Sequence, residues 1–126
     1  MRLVKQRTKN DCGIAALAMI AGVEYAIAHA ALFGPDHEGP TWTDKDDMIR
    51  GAAILGVTLS DRLVRCVHPE NLNCDALVRT NPLATGNWHW VVWDSGRRKI
   101  LDPLPYKRGL SPISQLTVLH RGPPSN

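Results

Sequence analysis

Cys12 stands in the stretch "KQRTKNDCGIAALAMIAG", between a polar run and an apolar one, with Gln6 six positions before it. Much further along, His89 lies in "NWHWVVWD" and Asp102 in "RKILDPL". A thiol at the start of a helix, a histidine on a strand and a carboxylate to orient that histidine are the parts of a nucleophilic catalyst. The helix N-terminus and a nearby imidazolium favour thiolate, the species that attacks a carbonyl carbon. Histidine takes the thiol proton and returns it to a leaving amine, and the acid fixes the tautomer of the ring. Gln6 is placed to donate its side-chain amide to the oxyanion that develops, a contribution of about 3 kcal/mol where the donor is preorganised.

Each residue also has a plainer explanation. A cysteine before an apolar run is commonly a packing residue, and a histidine between two tryptophans is commonly a half-buried one satisfied by backbone. Asp102 before Pro103 is a good turn former. Trp88 and Trp90 flank His89, so their indoles either narrow a cleft beside the base until only small residues reach the thiol, or pack into the sheet core. The chemistry therefore depends on whether the fold brings Cys12 and His89 together.

Helices come first. Thr8, Asn10 and Asp11 are N-cap candidates, the run from Cys12 to Ala21 is apolar on every face, and Gly22 is a C-terminal stop, which together predict a buried central helix. "EYAIAHAALFG" reads as a second helix, and "TDKDDMIRGAAILG" as a third, capped by Thr43 or Asp44, with Met48, Ala52 and Leu55 on one face and Gly56 at its end. From Val57 onward the pattern turns to short strands: "VTLSDRLV", "DALVRTNPLAT", "NWHWVVWD", "RKILDPL" and "QLTVLH". Helices followed by strands predict an α+β fold, a helical half packed on an antiparallel sheet. A turn through Ser95 and Gly96 would set Val92 opposite Lys99, Val91 opposite Ile100 and His89 opposite Asp102, within hydrogen-bond reach.

A chain of 126 residues with 44% hydrophobic and 21% charged residues suits one globular domain, here residues 1–120, with 121–126 as a flexible tail. The net charge of +3 comes from scattered basic residues, a pattern of solvated surface and not of a nucleic-acid partner. The three cysteines cannot all pair, and Cys66, His68 and Cys74 in "CVHPENLNC" lack the ligand spacing of structural zinc, so buried free thiols are expected at Cys66 and Cys74 and no metal or cofactor is required. The basic start, the run "IAALAMIAGV" and "AIAHA" imitate a secretory signal, but Asp11, Cys12 and Gly13 interrupt its mouth. The apolar run is too short for a membrane span, and a cytoplasmic protein with reduced thiols is expected.

Taken together, "QRTKNDCGIAALAMIAG" closely resembles the cysteine motif of the bacteriocin-processing cysteine peptidases, the domain at the N-terminus of peptide-exporting ABC transporters. "HWVVWDSGRRKILDP" resembles that family's histidine strand and Asp-Pro strand end, and "EGPTWTDKDDMIRGAAILGVTL" its Gly-Thr/Ser segment and third helix. The resemblance implies a papain-like fold with a cleft between the two halves, Cys12 as nucleophile, His89 as base, Asp102 as orienting acid and Gln6 as oxyanion donor. It further implies cleavage of a peptide or protein substrate after a Gly-Gly pair. No transporter segment follows here, so the resemblance leaves a separate exporter as the partner, another Gly-Gly protein as the substrate, or a domain without proteolysis. Beside the endopeptidase stand a thiol acyl-transfer or isopeptide-cleaving enzyme and an inactive peptide-binding module.

Overall fold

The computed structural model describes residues 1–66, 68–82, 86–104 and 109–123. Three N-terminal helices pack against a C-terminal six-stranded antiparallel sheet, the α+β arrangement expected from the order of the segments. The helices are α1 (Cys12–Ala21), α2 (Tyr25–Phe33) and α3 (Lys45–Ile54). The strands are β1 (Val57–Leu59), β2 (Val64–Arg65), β3 (Ala76–Thr80), β4 (His89–Asp94), β5 (Lys99–Leu101) and β6 (Pro112–Arg121). Their order across the sheet is β1, β6, β3, β4, β5, with β2 also paired to β6. The predicted segment "VTLSDRLV" is thus two strands, both laid against β6.

Every residue of α1 except Ala21 is buried, because the helix has no polar face and is enclosed by α2, α3 and β4. It stops at Gly22, whose φ of 69° is the left-handed cap that glycine adopts without strain. Asp44 caps α3 in a reciprocal box with Asp47, and Met48 and Ala52 face the core while Leu55 is partly covered. The sheet alternates as a two-sided layer must: Leu77, Val92, Leu101 and Leu116 pack under the helices, whereas Ala76, Val78, Val91 and Trp93 form a smaller cluster on the far face. Cys66 is buried as expected; Cys74 is only partly so.

The β4–β5 hairpin departs from the predicted register. Val92 pairs with Leu101, Trp93 with Ile100 and Asp94 with Lys99, so the loop holds the four residues 95–98. Asp94 remains in the strand and its Oδ1 accepts the Arg97 N–H at 3.3 Å, while Arg98 takes a φ of 54° to bring the chain round. The displacement is two residues, and because the side-chain period is also two, it changes the partners and leaves each residue on its expected face. At the other end of the sheet, Arg121 closes β6 and donates to the Ile20 carbonyl at 2.5 Å, and the Gly122 N–H donates to Gly56 O at 2.7 Å. The strand and this bond therefore take the first two residues of the expected tail, and residues 124–126 lie outside the described residues.

Candidate active site

Cys12 is the first residue of α1, and its Sγ accepts the backbone N–H of Trp90 at 3.4 Å across the join between the helical half and the sheet. That N–H belongs to the peptide unit linking His89 to Trp90, so the thiol rests against the chain at the histidine. The ring of that histidine is engaged at Nε2, which meets Asp102 Oδ1 at 2.7 Å. An ionised carboxylate only accepts, so Nε2 carries the hydrogen and Nδ1 the lone pair, which leaves Nδ1 as the basic atom. Among the described residues no hydrogen bond joins the imidazole to Sγ.

His89 and Asp102 make contact in a way that differs from the direct opposition predicted. His89 pairs with Thr80 of β3, and β5 ends at Leu101 opposite Val92. Continuing that register puts Asp102 beside Val91, diagonal to His89, a separation that a histidine side chain spans. Asp102 Oδ1 also accepts the Leu104 N–H at 3.0 Å, the turn chemistry expected of an Asp before Pro103. Turn former and histidine partner are one residue.

Gln6 reaches the same end of the sheet through its backbone, since its N–H donates to Pro103 O at 2.9 Å. Its side-chain Nε2 donates one N–H to Thr8 O at 2.8 Å, and the buried Oε1 has no partner. Flipping the amide would press two carbonyl-type oxygens together, so this orientation is the sound one. The second N–H of that amide is left for another acceptor while the first fixes the side chain to Thr8.

The thiol itself is 3% exposed, and burial pushes its pKa up to about 11. The N–H groups of Trp90, Gly13 and Cys12 act the other way, and the neighbouring Asp11 carboxylate adds to the rise. Desolvation outweighs the local donors, so the shift runs against the thiolate expected from the helix N-terminus. The two tryptophans separate in role. Trp90 is 1% exposed, sits in the core and donates its indole N–H to Thr43 O at 3.2 Å, so it offers no surface to a substrate. Trp88 is half-buried, edge-on to Trp90 at 6.2 Å, with the Arg79 guanidinium over its ring at 4.3 Å.

Asp11 went unassigned in the sequence beyond a helix cap, and its side chain makes no capping bond to α1. Instead the fully buried carboxylate faces backwards, accepting Arg7 N at 2.7 Å, Thr8 N at 2.9 Å, Thr8 Oγ1 at 3.0 Å and the Tyr25 hydroxyl. Burial alone would raise its pKa, but these bonds hold it below the ordinary carboxylate value, while burial and then the bond to Asp11 push Tyr25 up. The loop that carries Gln6 to Cys12 is folded around this group. The signal was a charged residue set directly before an apolar helix that buries its first turn.

Gly13 lets α1 approach the segment before α3. A Cβ there would lie 2.0 Å from Thr43 Oγ1 and 3.3 Å from Met48 Sδ. Gly13→Ala is expected to lower stability by about 2 kcal/mol in urea unfolding, and Thr43→Ala in the same chain to restore part of it by removing the clashing oxygen. Equal stability of Gly13→Ala and wild type would show that this close approach is not needed.

No family model matches this chain, and no curated protein matches it. Its chemistry therefore rests on the side chains just described.

Proposed function

We propose that the protein is a cysteine endopeptidase of papain-like fold that works as the double-glycine leader peptidases do, with Cys12, His89 and Asp102 as its triad. The observation that carries this reading is the thiol of α1 lying against the His89–Trp90 peptide, while the far nitrogen of the same histidine is held by Asp102 at 2.7 Å. Nδ1 takes the Cys12 proton as Sγ bonds to the scissile carbonyl carbon, and the carbonyl π electrons move to oxygen. The negative oxygen forms at the start of α1, beside the N–H groups of the first turn and the loop that carries Gln6. Collapse of this intermediate breaks the C–N bond, with the imidazolium proton passing to the departing amine. Water, deprotonated by Nδ1, then cleaves the thioester and restores the thiol.

Trp88 remains the aromatic wall beside the base, which favours substrates without side chains next to the bond. Two fluorogenic peptides differing only in Gly-Gly or Leu-Leu before the scissile bond test this, assayed with wild type and Cys12→Ala. Gly-Gly turnover is expected to be at least about tenfold higher in kcat/KM, a difference of about 1.4 kcal/mol, and absent in Cys12→Ala. Equal turnover of the two peptides sinks the substrate class, and cleavage that persists in Cys12→Ala sinks the nucleophile.

The buried, protonated thiol favours one second reading, a peptide-binding module that has kept the fold without proteolysis. Binding of the Gly-Gly peptide with no cleavage at any pH from 6 to 9 selects it.

A further inference from the structure

We propose that Arg65, Arg79 and Ser114 form a subsite for a carboxylate of the peptide substrate, an inference that rests on the peptidase reading for the identity of the ligand. Ser114 of β6 is paired on one side with Arg65 of β2 and on the other with Arg79 of β3. Directly paired residues share a face, so the hydroxyl stands between two guanidinium-bearing side chains. The three line an open cavity of about 460 Å³ together with Leu63, Pro112 and Ile113.

Its polar groups are unsatisfied. Ser114 is 6% exposed and its Oγ has no partner, and the buried Nε of Arg79 has none either. Among the described residues neither arginine forms an ion pair, in contrast to Arg50, Arg97 and Arg121, which each meet an aspartate. Buried donors without acceptors are costly, and a planar carboxylate supplies two oxygens that match a guanidinium fork and a serine hydroxyl together. Stacking on Trp88 holds the Arg79 guanidinium in place before the ligand arrives.

The cavity also lies in the right place for a substrate. Arg79 pairs with Trp90, whose N–H holds the Cys12 thiol, and the next residue, Thr80, pairs with His89. A carboxylate bound there sits one strand away from the reacting pair, within the span of a few peptide residues.

Calorimetric titration of the Cys12→Ala protein tests the assignment without requiring cleavage. The probes are Gly-Gly peptides carrying Glu at each position in turn, their Gln and Lys counterparts, and the C-terminal amide of each. At one position Glu is expected to bind about tenfold more tightly than Gln. Arg65→Glu, a change on an exposed strand, should erase that preference and turn it toward Lys, and Arg79→Gln should erase it without the reversal. If the preference follows the free C-terminus and vanishes on amidation, the subsite takes a terminal carboxylate instead of a side chain. Equal binding of acid, amide and Gln peptides, no binding at all, or a preference unchanged in both arginine variants overturns the proposal. Failure of the wild type to cleave would sink the peptidase reading and leave this result standing.

Discussion

His89→Ala is expected to lower kcat/KM at pH 7 by about 10³- to 10⁴-fold, with a residual rate that climbs roughly tenfold for each unit of pH. The magnitude comes from the thiol. With burial pushing Cys12 to about 11, only about one molecule in 10⁴ holds thiolate at pH 7 when no base assists. In the proposed mechanism wild type avoids that penalty by passing the proton to Nδ1 as attack begins. The variant must wait for hydroxide to remove it, so its rate follows the thiolate fraction, which rises with pH for a group whose pKa lies above the assay range. Rates measured between pH 7 and 9.5 settle the matter. A variant rate that is flat over that range means that the thiol is already ionised or that His89 is not its base.

Asp11→Ala is expected to cost roughly 3 kcal/mol of stability at pH 7, since it leaves the Arg7 and Thr8 N–H groups and the Tyr25 hydroxyl without their buried acceptor. Asp11→Asn should cost less, because one oxygen survives. The folded carboxylate has a pKa held below the ordinary aspartate value, so its contribution is present in full above the unfolded pKa and is lost as pH falls through the lower folded value. The gap in stability between wild type and Asp11→Ala therefore narrows in acid, below about pH 4. Urea unfolding at pH 7 and pH 3 measures both. A gap that stays constant with pH would mean that the carboxylate is not the ionised acceptor described.

Periodicity carried most of the fold. The all-apolar run from Cys12, the Gly22 stop and the Asp44 cap gave α1 and α3 with their ends, since those signals are local. The hairpin register was not legible, because whether Asp94 ends a strand or begins a turn depends on its bond to Arg97 N, which no pattern of hydrophobicity encodes. The contact of His89 with Asp102 survived that error only because the slip was an even number of residues. Trp90 shows the opposite limit. Its neighbours in sequence suggested a cleft, but it is buried in the core that the helices form with the sheet, and its indole N–H bonds Thr43 O from the helical half. The ionisation of Cys12 was likewise beyond the sequence, since it is set by how completely α2, α3 and β4 enclose α1.

β6 runs between β3 on one side and β1 and β2 on the other, yet it is synthesised after every other element described. Until it emerges from the ribosome, β1 and β2 have no strand to join, and α1, apolar on every face, lacks the finished sheet that covers it. A nascent chain in this state exposes a continuous greasy helix for seconds, the interval that chaperones serve and in which aggregation competes with folding. The arrival of β6 also brings Arg121 to the end of α1, where it donates to the Ile20 carbonyl. Until then the thiol of Cys12 stands beside a sheet that lacks the strand joining its two sides.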